Sequence, residues 1–245
     1  MVDTNKLRFK RVVVKLSGEA LASRESGTAI DTHTLRQTDE ELAEVRASGI
    51  QVAVVVGGGN IFRGLRGASQ GMDRAQSDYM GMLATVINAL ALQDALERSN
   101  VPTRVMTAIE ISQVAEPYIR RRAIRHLDRG NIVIFAGGTG NPFFSTDTAA
   151  SLRAMELRAD ALFKATKVDG IYDRDPARHP NATLLKHVTY DRYLNDHLGV
   201  MDATAIAMCR DNGLLVRVFK MDRGNIQRAC FGEPMGTTIS ASEEG

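Results

Sequence analysis

The sequence predicts an α/β fold with a mainly parallel central sheet covered by helices on both faces. Three observations carry that expectation. Short β-branched or apolar runs at 11–16, 51–56, 103–107, 132–136, 161–165 and 215–219 read as strands, most of them buried on both sides. Helical patterns separate these runs almost throughout. Several runs also end in glycines or turn formers, as strands do when they feed a loop and then a helix N-terminus. No linker or composition break interrupts the 245 residues, so a single domain, 1–245, is expected.

Taken in order, 11–16 is β-branched, and Lys15 is the one charge inside its apolar run, where it either meets an anion or snorkels to solvent. Segment 31–48 reads as a helix with Asp31, Thr32 and Thr34 as possible caps and Gly49 closing it; Asp39, Glu40, Glu41 and Glu44 form its expected solvated face. Strand 51–56 runs straight into Gly57-Gly58-Gly59-Asn60. Three glycines there cost chain entropy, which a phosphate pressed against bare N–H groups would justify, with Arg63 as its bidentate partner. The pattern at 82–98 is apolar on nearly every side and predicts a helix in the core or against another subunit. Asp78, just before it, is either a ligand group or an N-cap.

Strand 103–107 precedes a helix expected over 116–128, whose Arg120, Arg121, Arg122 and Arg125, with Arg129 beyond, either bind an anionic effector or, the preferred reading, face water. Strand 132–136 feeds Gly137-Gly138-Thr139-Gly140 and a helix over 146–158 with Asp147 as a possible cap. Such a glycine loop followed by a helix N-terminus suits a phosphate. Strand 161–165 leads into the turn-rich Lys167-Val168-Asp169-Gly170. Helical turns at 190–195, 202–212 (capped by Asp202) and 224–231, with strands at 215–219 and 237–240, complete the chain.

Thirty-one Lys and Arg against 29 Asp and Glu give a net charge of +2, which argues for neither nucleic acid nor a membrane surface; Lys6, Arg8, Lys10 and Arg11 are only a modest basic stretch. The apolar runs are short of a bilayer span and no signal-peptide core is present, so a cytoplasmic protein is expected. Cys209 and Cys230 lack C-x-x-C spacing, and the five histidines fall into no metal-binding pattern, so no protein metal site is expected. Asn181-Ala182-Thr183 matches a glycosylation acceptor only by pattern. The Walker, protein-kinase and dinucleotide signatures are missing, as are G-x-S-x-G and H-E-x-x-H.

What remains is a set of loops. Those after 11–16, 51–56, 132–136 and 161–165 should converge beyond the carboxyl ends of the strands, where open α/β sheets bind ligands. Several anion cradles on one edge imply more than one phosphate, the arrangement that phosphoryl transfer needs.

Five stretches carry a resemblance: Lys15-Leu16-Ser17-Gly18-Glu19, Gly57 to Gly64, Asp78-Tyr79-Met80-Gly81-Met82, Gly138 to Asp147 (G-T-G-N-P-F-F-S-T-D) and Lys164 to Gly170 (K-A-T-K-V-D-G). Together they resemble the bacterial UMP-kinase branch of the amino-acid-kinase family. The resemblance implies a three-layer αβα sandwich, assembled as a homo-hexamer, that transfers the ATP γ-phosphoryl to UMP in pyrimidine nucleotide biosynthesis. It further implies that Lys15, Leu16, Ser17, Gly18, Gly59, Arg63, Thr166, Tyr172 and Asp175 hold ATP. Gly58, Asp78, Thr139, Gly140, Asn141, Pro142, Phe143, Phe144, Ser145 and Thr146 would hold UMP.

Lys15 and Arg63 would stabilise the moving phosphoryl, Asp147 would orient Lys15, and Mg2+ would arrive with ATP. GTP and UTP are the effectors it implies, but loop 23–29 is longer and poorer in glycine than the family's pattern. Two other readings stand beside this one: a sibling kinase of a carboxylate or carbamate acceptor, and a nucleotide sensor whose arginine-rich helix touches nucleic acid.

Overall fold

A computed structural model describes residues 8–23 and 27–242. Lys6 of the basic stretch and Arg24, Glu25 and Ser26 of loop 23–29 lie outside the described residues. The strands are β1 (Arg11–Leu16), β2 (Gln51–Val56), β3 (Thr103–Thr107), β4 (Glu116–Pro117), β5 (Ile132–Ala136), β6 (Ala161–Thr166), β7 (Ile171–Tyr172), β8 (Leu184–Leu185), β9 (His187–Thr189), β10 (Leu215–Lys220) and β11 (Thr237–Ser240). Nine of them form one sheet in the order β4-β3-β5-β2-β1-β6-β10-β11-β9, while β7 and β8 pair as a separate ribbon. Within the large sheet only β10 and β11 run antiparallel. The four strands whose loops matter, β5, β2, β1 and β6, are therefore adjacent and end on one edge.

The helices are α1 (Thr32–Ala47), α2 (Gly64–Ser69), α3 (Arg74–Arg98), α4 (Arg120–Asp128), α5 (Thr146–Glu156), α6 (Tyr190–Asn195), α7 (Ala203–Asp211) and α8 (Asn225–Cys230), and a 3-10 turn spans Gly18–Leu21. Alternation along each central strand divides the core in two. Val12, Val14 and Leu16 of β1 join the apolar sides of α1, α3 and α8, whereas Val13 joins those of α4, α5, α6 and α7. The expected three-layer αβα sandwich is the result. It also explains why these strands read as unbroken apolar runs.

Several boundaries differ from the sequence expectation. Helix α3 begins at Arg74 rather than at 82, because Asp73 caps it by accepting from the Gln76 N–H, and Asp78 lies inside the helix. It is long and apolar enough by length and composition to cross a membrane, yet Leu92, Leu96, Ala89 and five further helix residues besides Asn88 are buried in this fold. Helix α4 begins at Arg120, and Glu116–Pro117 form an edge strand instead, where a proline without an N–H is tolerated. Its arginines do face solvent.

Helix α5 is capped by Ser145, not Asp147, and stops at Glu156 because Arg158 turns left-handed (φ 54°). The acidic face of α1 is only half solvated. Asp39 and Glu41 are buried, Asp39 accepting from the Ser99 hydroxyl at 2.9 Å and Glu41 from the Ile226 N–H at 2.6 Å. Both cysteines are buried, and burial pushes the Cys209 thiol up to about 11 and that of Cys230 up to about 12, so neither is a reactive thiolate.

Candidate active site

The centre of the edge is made by two lysines. Lys15 of β1 and Lys164 of β6 are register partners, and both break an apolar run on the face covered by α5. Two ammonium groups opposite each other on neighbouring strands repel, so the position demands an anion. Asp147, in the first turn of α5, supplies it. Its Oδ2 accepts from Lys164 Nζ at 2.5 Å, and its Oδ1 has no hydrogen-bond donor, only the Lys15 ammonium 3.0 Å away. All three side chains are nearly buried.

Burial alone would raise the Asp147 carboxyl; the two ammonium groups outweigh it and hold the group below its ordinary value. Burial lowers Lys164, against the pull of Asp147, and Lys164 also donates to the Val200 carbonyl. The cluster carries two cations for one anion, a surplus positive charge at the sheet tip.

To one side lie the loops after β2 and β5, both fixed by α3. Asn88, fully buried, donates to the Gly57 carbonyl at 2.7 Å and pairs with Asn60, while Thr85 Oγ1 accepts from the Gly137 N–H at 2.8 Å. Gly58 is glycine for a reason other than a bound phosphate: a Cβ there would lie 2.7 Å from the Gly81 carbonyl oxygen. Gly138 is different, with φ 57° and open space where its side chain would be.

Asp78 Oδ2 accepts from Arg74 Nε and from the Phe143 N–H, both at 2.8 Å, and so ties α3 to the tip of the 139–146 loop. Between them opens a cavity of about 190 Å³ lined by Gly58, Gly59, Arg63, Asp78, Thr139, Phe144 and Thr146, among others.

To the other side, beyond β1 and β6, a cavity of about 560 Å³ is lined by Ser17, Glu19, Thr166 and Lys167, with α1 and the 220–223 segment as its walls. Glu19 forms ion pairs with both Arg63 and Lys167 and so joins the two sides. Arg63 also donates to the Gly59 carbonyl at 3.2 Å.

The structure thus brings Lys15, Asp147 and the loops bearing Leu16, Ser17, Gly18, Gly58, Gly59, Arg63, Asp78 and Thr139 to Thr146 to one edge. Gly140, Asn141 and Pro142 belong to that last loop, where Thr139 Oγ1 accepts from the Asn141 N–H; Ser145 caps α5 and bonds Asp202. Tyr172 and Asp175 stand apart. Tyr172 lies on the β7 ribbon and bonds Asp169, and Asp175 closes a turn with the Ala177 N–H; neither lines the two cavities. Lys164, Glu19, Lys167, Thr85 and Asn88 were given no role by the sequence. Glu19 and Lys167 lay within motif stretches, and Lys164 left a further trace as a charge inside an apolar run, just as Lys15 is. Among the described residues no group of three or more His, Cys, Asp or Glu gathers to hold a metal ion.

The profile of the amino acid kinase family matches residues 10–220. The chain belongs to that family. As a family member it is similar in structure to the UMP kinase of Bacillus anthracis, with a TM-score of 0.92, 40% identity, and coverage of 96% of this chain and 97% of that one. It is also similar to the UMP kinase of Ureaplasma parvum (TM-score 0.88, 35% identity, 96% and 100% covered). The uridylate kinase of Archaeoglobus fulgidus is more distant, at 0.72 and 26%, with 94% and 99% covered. This amino acid kinase therefore matches its relatives over nearly their whole length.

Proposed function

We propose that the chain is an ATP-dependent UMP kinase that converts UMP and ATP to UDP and ADP in pyrimidine nucleotide biosynthesis, as a single domain. The observation that carries this is the Lys15–Asp147–Lys164 cluster set between two cavities on one sheet edge, in a chain 40% identical to a UMP kinase. ATP occupies the β1/β6 side, held by Lys15, Leu16, Ser17, Gly18, Gly59, Arg63 and Thr166; Tyr172 and Asp175, which line neither cavity, are assigned to ATP by the family resemblance alone. UMP occupies the side of Gly58, Asp78 and the 139–146 loop.

Asp147 holds the Lys15 ammonium in place, and Lys15 with Arg63 neutralises charge on the phosphoryl as it moves, which is most of what catalysis of this transfer requires. A phosphomonoester has a second pKa near 6, so the acceptor oxygen of UMP is already deprotonated and no general base is needed. Glu19, Asp78 and Asp147 are each engaged with cations, which supports a reading in which a divalent ion takes its oxygen ligands from the nucleotide. Mg2+ belongs to the ATP phosphates.

Homo-oligomerisation, as a hexamer, fits the exposed Tyr79, Met80, Leu83 and Ile87 on α3. A cytoplasmic location, GTP and UTP as effectors, and no nucleic-acid partner complete the reading. The test is ADP release with UMP, CMP, glutamate and carbamate as acceptors, with and without GTP and UTP. Turnover confined to UMP is expected; turnover with glutamate or carbamate alone overturns the assignment.

A further inference from the structure

Glu19 stands where the two cavities of the edge meet, and short, well-fixed backbone puts it there. Ser17 Oγ accepts from the Glu19 N–H at 3.3 Å and the Ser17 carbonyl from the Ala20 N–H at 2.8 Å, which closes the 3-10 turn Gly18–Leu21. Gly18 wedges that turn against the loop after β2: a Cβ on it would collide with the Asn60 side chain and lie 2.6 Å from the Gly57 carbonyl oxygen. The Glu19 backbone is therefore held, while its side chain, 28% exposed, has room to turn.

The carboxylate spans two cations that come from different loops. Oε1 pairs with Arg63, beyond β2, and Oε2 with Lys167, beyond β6. Arg63 lines the smaller cavity and Lys167 the larger, and both are open to solvent, 57% and 41% exposed. A guanidinium and an ammonium brought this near each other repel unless an anion stands between them. We infer that Glu19 is a positioning residue whose carboxylate stands in for a phosphate, keeping Arg63 and Lys167 at the seam of the two cavities and yielding both to the polyphosphate of the donor nucleotide.

The contacts of Arg63 make that exchange necessary. Its Nε donates to the Gly59 carbonyl at 3.2 Å and its Nη2 is on Glu19, so a bidentate grip on phosphate through Nη1 and Nη2 competes with Glu19. The exchange is also easy. Ion pairs this exposed are weak, whereas a polyphosphate brings several negative charges to the same two cations, and Glu19 needs only to rotate its side chain to leave. Lys167, to which neither the motifs nor the resemblance gave a role, then becomes a phosphate contact on the donor side beside Thr166.

This inference rests on the donor nucleotide lying on the β1/β6 side, and its test leaves the acceptor out. Inorganic tripolyphosphate is titrated by calorimetry into the whole protein, wild type and Glu19→Gln, and the wild-type complex is crystallised. Glu19→Gln is expected to bind about fivefold tighter, because no internal carboxylate competes for the cations; a merely structural role for Glu19 would weaken binding instead. The gain should shrink when Glu19→Gln is made in Lys167→Ala, which separates competition for that cation from a general change of charge. In the crystal, Arg63 and Lys167 are expected on phosphate oxygens with Glu19 turned away. Unchanged or weaker binding by Glu19→Gln, an equal gain in Lys167→Ala, or a complex in which Glu19 keeps both cations overturns the inference, while ADP release with UMP would still uphold the activity. No saturable binding by either protein overturns the donor site and the inference together. Should Glu19→Gln fail to fold, the wild-type complex decides.

Discussion

Lys15 and Lys164 look like two unrelated interruptions of apolar strands until the register of β1 against β6 sets them side by side. Their shared partner, Asp147, then becomes the residue on which the site's charge balance turns. Asp147→Asn leaves two nearly buried ammonium groups without an anion, and breaking a buried pair in this way costs about 3–5 kcal/mol. Chemical denaturation should show that loss, together with a fall in turnover. Lys15→Ala and Arg63→Ala are expected to lower kcat/KM by about 10²–10⁴ while circular dichroism stays native, since without Lys15 the buried Asp147 keeps Lys164 as its partner, and Arg63 is exposed. Wild-type turnover in either variant would contradict the roles given to them. Lys15 was legible as a charge in a β-branched run; Lys164 carried the same mark, but its meaning depended on which strand lay beside it.

At the scale of elements, α3 is the plate against which the acceptor side is built. Asn88 and Thr85 point from it to the loops after β2 and β5, and its backbone passes so close to Gly58 that a methyl group there would collide with the Gly81 carbonyl. Gly58→Ala should therefore displace the 57–59 loop, raising KM for the acceptor and lowering the melting temperature together. An unchanged KM would show that the loop does not shape that cavity.

Helix α1 is tied to α8 by Glu41, whose carboxyl burial pushes up to about 7 despite the Ile226 N–H it accepts. A carboxyl with a raised folded pKa contributes stability fully present below about pH 4.5 and lost as pH rises through about 7. Glu41→Gln keeps the acceptor oxygen without the charge, so it should raise the melting temperature at pH 8 and change it little at pH 4.5, a difference of up to about 3 kcal/mol. Melting curves at the two pH values give the answer. The expectation of a solvated acidic face on α1 failed here because periodicity locates a face, whereas the neighbour that covers it, Ser99 for Asp39 and α8 for Glu41, comes from distant chain.

For the whole molecule, the apolar stripe of Tyr79, Met80, Leu83 and Ile87 on α3 is the surface most in need of a cover. Light scattering of the wild type should give a multiple of 26.7 kDa, and Leu83→Glu with Ile87→Glu should reduce it towards that single-chain mass. A wild type already at 26.7 kDa would remove the oligomer.

The fold class and the central strands followed from local pattern, because a parallel sheet buried on both faces writes itself as short apolar runs punctuated by helices; the short β4, β7, β8 and β9, two or three residues each, left no such run. The glycine loops and Lys15 were visible for the same local reason, whereas Asp147 was read locally only as a cap, a place that Ser145 takes, and its position beside Lys15 was implied by the family resemblance. Tertiary structure alone decided that Lys164 joins Lys15, that Glu19 links Arg63 to Lys167, that Gly58 yields to a helix rather than to a phosphate, and that Asp39 is buried. Each of those facts depends on strand order and helix placement, and contacts between residues far apart in the chain leave no periodic mark in the sequence.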